Sequence, residues 1–266
     1  MSVVHDLSIP LEFGGPQPSA FGAPPAHADA LRAGAFVGAV AQGGSCECAT
    51  LTLTPHCNGT HTESARHLTG AGPAPFELLR DLTFPAVLVT VRPVRAAETP
   101  ESSDPAPQPD DLVVTAAALA DALASRLTSG SDTEAVPSTS PSVSDPEVSL
   151  GATVALIVRT LPNDPGKRAA RWGERPAPFF TREAMELVAA RFEHLLFDGP
   201  SLDRAEDGGK LCAHRVLWAA RPRATVTELI YVPDAVADGP YTLSLQVPAF
   251  VSDAAPSRPL IQREPR

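Results

Sequence analysis

The run Ala86–Val94, AVLVTVRPV, constrains this chain more than any other segment. A short apolar stretch rich in β-branched residues reads as a buried strand, and such a strand needs other layers of structure around it. Ala152–Val158 is a second apolar run of this kind, and Leu195–Phe197 and Ala224–Val232 read as further strands. Ala49–Thr54 and Tyr241–Val247 alternate with period two, the pattern of half-buried strands, and Ala35–Val40 is a shorter β-like run. The start, Asp6–Leu11, is strand-like and leads into a Gly/Pro-rich loop from Gly14 to Pro25.

Two segments carry helical periodicity. Thr115 is placed to cap Thr115–Leu127, with Leu119, Leu123 and Leu127 on one stripe. Thr181 is placed to cap Arg182–His194, whose Met185, Val188 and Phe192 share a face. Mixed strands and few helices around one core indicate an α/β fold in a single domain over residues 1–266, with α+β as the alternative. Two low-complexity inserts interrupt it, at about 96–111 and 129–149. Their Pro, Ser, Thr and acidic residues read as disordered or peripheral.

Composition matters here mainly for what it excludes. The 266 residues carry a net charge of −10, which argues against a nucleic-acid footprint and against docking on an anionic membrane. No apolar run reaches the roughly 18 residues a membrane helix needs, and no basic-then-apolar leader opens the chain. The expectation is a cytoplasmic protein acting on a small molecule, with neither nucleic acid nor membrane as partner. The four cysteines are too few and too unevenly spaced for a disulfide scaffold. Cys46 and Cys48 read as same-face neighbours on a strand, hence packing thiols.

The chemistry concentrates between residues 56 and 67. Three of the seven histidines (His56, His61 and His67) fall there with Cys57 and Glu63. These are nitrogen, thiolate and carboxylate donors of the kind that bind Zn²⁺ or Mn²⁺. Gly59 between them is expected to let the backbone turn tightly so that the donors converge. His61 and Glu63, two apart, face the same side of an extended chain. The competing reading is a chance gathering of histidines in a loop. The Asn58-Gly59-Thr60 match to a glycosylation site carries little weight without an export signal.

From Cys57 to His67 the chain reads C-N-G-T-H-T-E-S-A-R-H. It resembles the signature H-x-G-T-H-x-D-x-P-x-H of the cyclase-like metal-dependent hydrolases, which include bacterial kynurenine formamidases and isatin hydrolases. Gly59, Thr60, His61 and His67 match in place, while Glu63 stands for the aspartate and Ala65 for the proline. Cys57 occupies the register of the first histidine, and His56 lies one residue earlier. Either Cys57 ligates or a one-residue bulge brings in His56, with register favouring Cys57. Further along, Asp198-Gly199-Pro200-Ser201-Leu202-Asp203 is similar to the family's D-x-P-S-x-D loop and His214-Arg215-Val216-Leu217 to its H-R-x-L segment. Glu228 follows at about the right distance. Asp6–Leu11 and Ala254–Pro259 resemble the family's first and closing strands.

The resemblance implies a swivelling β/β/α-type mixed sheet with a few packed helices, and a homodimer or larger oligomer with the site near a subunit interface. It implies one or two divalent ions, Zn or Mn. The first would be held by Cys57 (or His56), His61 and Glu63; Glu63 could bridge to a second on His214 and Glu228. A thiolate ligand would favour zinc. Catalytic roles fall to His67, as proton donor to the leaving nitrogen, and to Glu228. The implied reaction is hydrolysis of an amide C–N bond in a small cyclic or N-acylated substrate, aromatic ones included. Lactone hydrolysis or cyclisation on the same site, and a degenerate site that only binds, are the alternatives. Competing structural readings are a surface His67, a packed His214 and a solvent-facing Glu228. Asp198 and Asp203 read as turn-forming, and Trp172 and Trp218 as core residues rather than pocket walls.

Overall fold

The computed structural model describes residues 3–128 and 153–263. The insert expected at about 129–149 lies outside them. Nine strands form one mixed sheet: β1 (Val4–Asp6), β2 (His61–Ser64), β3 (Phe84–Val91), β4 (Ala155–Thr160), β5 (His194–Phe197), β6 (Thr225–Glu228), β7 (Gly239–Ser244), β8 (Ala254–Pro256) and β9 (Leu260–Gln262). Their order is β1-β9-β7-β3-β4-β5-β6-β2-β8. The four central strands, β3 to β6, run parallel, and antiparallel pairs extend the sheet on both sides.

That arrangement explains the unbroken apolar runs. Parallel strands are covered on both faces, so every residue along them needs to be apolar or satisfied. β4 and β5 are buried at every position. Val87, Val89, Val91, Leu156, Val158, Leu195 and Phe197 face the helices α4 (Ala116–Thr128), α5 (Arg182–Arg191) and α6 (Cys212–Ala220), meeting Leu119, Met185, Val188 and Leu217. The intervening Ala86, Leu88, Ala155, Ile157 and Leu196 pack on Leu7, Ile230, Leu243 and Ile261, so the wings of the sheet curl over its second face. The expected α/β architecture is what the chain adopts.

The predicted caps form: Thr115 Oγ1 accepts from the Ala118 N–H at 3.1 Å, and Thr181 Oγ1 from the Ala184 N–H at 3.1 Å. α5 ends at Arg191 because His194 already belongs to β5, which shortens the expected Arg182–His194 helix. Residues 96–111 are peripheral but tied down. Glu101 accepts from the N–H groups of Ala116 and Ala117 at the start of α4 and from Thr181 Oγ1, so an acidic side chain sits where a helix N-terminus favours one. The expected half-buried strand Ala49–Thr54 is shorter, Ala49–Thr52, and exposed at all four positions. It pairs with His27–Ala30 in a separate two-stranded ribbon. Cys46 is exposed and lies outside any strand, contrary to the packing role expected of it.

Candidate metal centre

The signature segment folds as helix, strand, helix: α1 (Pro55–Asn58), β2 and α2 (Arg66–Thr69), with the short α3 (Pro75–Leu78) following. β2 lies between β6 and β8 and is buried at all four residues. Its register places Glu228 opposite His61 and Val226 opposite Glu63. Period-two alternation turns His61 and Glu63 to one face. Thr62 goes to the other, where its hydroxyl meets that of Thr227 at 2.7 Å. Thr60 fixes the entry to the strand: its hydroxyl donates to the Leu229 carbonyl and accepts from the Ile9 N–H at 2.8 Å. Leu229, directly after Glu228, has a left-handed φ of 55°, a conformation that a leucine adopts only under tertiary constraint. The expected role of Gly59 is not needed. Its φ of 168° is extended, and the reversal before β2 is made by α1 instead.

Four histidines and three carboxylates meet on this face. Glu63 Oε1 lies 2.8 Å from His214 Nε2, and its Oε2 is 3.1 Å from His56 Nδ1 and 3.9 Å from His67 Nδ1. Glu228 lies 3.5 Å from both His61 Nε2 and His214 Nε2, and is steadied by the Leu202 N–H at 2.9 Å. Asp253, just before β8, receives His56 Nε2 at 2.9 Å and His67 Nδ1 at 3.1 Å on the same oxygen, Oδ2. Three sets of donor atoms lie within 4.8 Å of one another: His56, His61 and Glu63; Glu63, His214 and Glu228; and His56, His67 and Asp253.

Hydrogen bonding decides which ring atoms face the centre. A carbonyl oxygen only accepts, so His61 Nδ1 must donate to the Gly59 carbonyl at 3.0 Å. Its Nε2 is left as a lone pair, fully buried and without a hydrogen-bond partner. A histidine tied back through one nitrogen, with the other bare and aimed at a carboxylate, is the arrangement of a metal ligand. The residues present therefore fit a divalent cation.

The protonation pattern agrees. Burial disfavours charge on His214, but Glu63, then Asp203 and Glu228, outweigh it and hold the imidazole well above its usual range. For Glu63, burial is likewise outweighed by His214 and then His56, which keep it ionised well below the usual carboxylate range. His56 is desolvated too, yet Glu63 and Asp253 raise it to about 9. Hydrogen bonds from His67 and His56 overcome burial at Asp253 and lower its carboxyl. Each such imidazolium proton marks a lone pair open to a cation once the proton leaves.

The structure thus brings together His56, His61, Glu63, His67, His214 and Glu228 but leaves Cys57 out of every donor group. His56 and Cys57 are not strand residues, as a choice between them by register requires. They sit in a helical turn, where successive side chains point about 100° apart rather than to opposite faces. Cys57 is buried, which pushes its thiol up, helped by the Glu228 charge. Two further residues belong to the site. Asp203 is more than a turn former: Oδ2 takes His214 Nδ1 at 2.6 Å, and Oδ1 takes the Ala213 N–H at 2.7 Å at the start of α6. Its place in the loop before the His214 helix was the available signal. Asp253 carried none beyond its position ahead of the closing strand. Asp198 is structural, buried and bonded to Lys167 Nζ at 2.8 Å and to Thr160. Trp218 packs in the core, donating to the Ala224 carbonyl.

A curled mixed sheet with a buried His/Glu cluster gathered around one short strand makes this an α/β protein with a candidate metal centre. The Cyclase family model matches residues 5–204, three quarters of the chain, and the protein belongs to that family. No curated protein matches it. Among solved structures it resembles a potential metal-dependent hydrolase with cyclase activity, at 19% identity and TM-score 0.61 over the whole of both chains. It also resembles a predicted metal-dependent hydrolase from Bacillus stearothermophilus, at 17% identity and TM-score 0.58 over 98% of each chain. A third likeness is to an isatin hydrolase bound to the product analogue thioisatinate, at 16% identity and TM-score 0.60, covering 98% of this chain and 92% of that one.

Proposed function

We propose that the protein is a metal-dependent hydrolase that cleaves the amide C–N bond of a small cyclic or N-acylated substrate, aromatic amides among them. The observation that carries this is His61 Nε2, buried and without a hydrogen-bond partner, in a cluster with His56, Glu63, His214 and Glu228. Two of the donor groups give room for two ions, with Glu63 shared between them. Without the Cys57 thiolate the donors are nitrogen and oxygen only, a set that suits zinc and manganese alike.

His56, His61, Glu63, His214 and Glu228 would hold a divalent ion, which would supply an acidified water and Lewis acidity toward a carbonyl. The remaining work falls to the chain. His61 and Glu228 hold fixed positions through Gly59 and Leu202. His67, half-buried at the rim, gives a proton to the leaving nitrogen in this reading. The likeness to an isatin hydrolase supports a cyclic amide as substrate, since isatin is one. Lactone hydrolysis or the reverse cyclisation is the second reading, favoured by the likeness to a hydrolase with cyclase activity.

We further propose a homodimer or larger assembly. The two-stranded ribbon of His27–Ala30 and Ala49–Thr52 is exposed on both faces, with Leu51 54% accessible, and an isolated ribbon of that kind is marginal in water. No helix among the described residues is long and apolar enough to cross a membrane.

Metal analysis of protein purified without chelator is the first test, with about one to two equivalents of zinc or manganese per chain expected; less than about half an equivalent overturns the reading. Turnover of isatin and N-formyl aromatic amines, set against simple lactones, then separates amidase from lactonase.

A further inference from the structure

We propose that Asp253 is a positioning residue for both rim histidines, one carboxylate oxygen setting the tautomer of His56 for holding an ion and of His67 for moving a proton. This rests on the reading that His56 is a metal ligand. Oδ2 of Asp253 is 2.9 Å from His56 Nε2 and 3.1 Å from His67 Nδ1. A carboxylate held ionised only accepts, so each ring must present an N–H to it. For His56 this puts the hydrogen on Nε2 and frees the Nδ1 lone pair, the atom that lies 3.1 Å from Glu63 Oε2 in the first donor group. For His67 it puts the hydrogen on Nδ1 and leaves Nε2 as the atom that exchanges protons.

Asp253 is itself held at several points. Its carbonyl accepts from the Ser64 N–H at 3.1 Å, one residue beyond Glu63, and its Oδ1 accepts from Ser252 Oγ at 3.0 Å. The next residue, Ala254, lies opposite Glu63 in the β8–β2 register. The carboxylate is thus referenced to the same strand that carries the ligands. The two imidazoles lie 4.3 Å apart at 35°, close enough that their orientations are set together. Carboxylates that orient metal-bound histidines are worth about 10- to 100-fold in metal affinity. Asp203 has that relationship to His214 from the other side of the cluster.

The test compares wild type with D253N, D253E and S252A, using zinc affinity by chelator competition and the histidine tautomers of the zinc-loaded protein by ¹⁵N–¹H spectroscopy. In D253N zinc binding is expected to weaken by about 10- to 100-fold and His67 to lose its single Nδ1–H form. D253E, which keeps the carboxylate, recovers part of both, and S252A, which removes only the Oδ1 contact, leaves both in place. Unchanged affinity in D253N overturns the proposal, and so does weaker binding with unaltered tautomers, which would make Asp253 a structural tie alone. Neither readout uses a substrate. A wild type that binds zinc but hydrolyses no amide therefore refutes the hydrolase reading without touching this one.

Discussion

Glu63 Oε1 and His214 Nε2 meet at 2.8 Å across 151 residues of sequence, each at most 2% exposed. The contact joins the signature strand to the helix α6 and closes the centre. Removing one partner leaves a buried charge without compensation, which costs about 3–5 kcal/mol. His214→Ala in the presence of chelator is therefore expected to lose about that much stability in urea denaturation. A loss below about 1 kcal/mol would mean that Glu63 does not depend on His214 for its charge.

The neighbouring residues His56 and Cys57 should separate cleanly. His56→Ala removes a donor that approaches both Glu63 and Asp253, and metal content per chain should fall sharply. Cys57→Ser removes a buried thiol that belongs to no donor group, and metal content should stay at the wild-type level. The reverse pattern would restore the cysteine as ligand.

Asp203 acts on the centre through His214. Asp203→Asn keeps the shape but replaces one acceptor oxygen by a donor, so the hold on His214 Nδ1 weakens. Metal affinity should drop by about 10- to 100-fold, read by chelator competition. An unchanged affinity would confine Asp203 to capping α6.

Away from the centre, His194 gives a pH signature. Its ring is buried against Phe84, with Nδ1 2.8 Å from the Thr225 hydroxyl, and desolvation lowers its pKa from 6.5 to about 4. The unfolded chain then takes up a proton at a higher pH than the folded one. The contribution of this histidine is fully present above pH 6.5, declines as pH falls toward about 4, and is gone below that. The difference amounts to about 3 kcal/mol. Chemical denaturation from pH 8 to 4 should show a shallower decline in His194→Gln than in wild type, and parallel curves would refute the assignment.

Much of this was legible in the sequence because burial leaves a strong residue signal. Ala86–Val94 and Ala152–Val158 became β3 and β4, the centre of the parallel sheet, and Thr115 and Thr181 cap the helices they were expected to cap. Edges blurred where tertiary structure intervened. Ala224–Val232 stops as a strand at Glu228 because Leu229 turns left-handed, and Tyr241–Val247 shifts to Gly239–Ser244. Ala35–Val40 is a strand only at Phe36–Val37. The ribbon strand Ala49–Thr52 alternates as a half-buried strand does yet has no core beneath it, so period alone misplaced its burial. At the centre, the ligand types in the signature were visible. That His56 rather than Cys57 joins the donor cluster was not, since it turns on one helical turn before β2. Asp253 escaped because it acts through histidines distant in sequence, while Asp203, eleven residues before His214, was read only as a turn former.

The position of β2, one strand in from the β8 edge, has a kinetic consequence. β8 is three residues long and ends the sheet, so it is among the first elements to open in local fluctuations, while β6 on the other side is locked into the parallel core. Opening at that edge releases Asp253 and loosens His56 and His67, but leaves His61, Glu63, His214 and Glu228 in place. The centre therefore has an inner tier tied into the parallel core and an outer tier tied to the sheet's edge, and amide exchange is expected to be slower in the first than in the second.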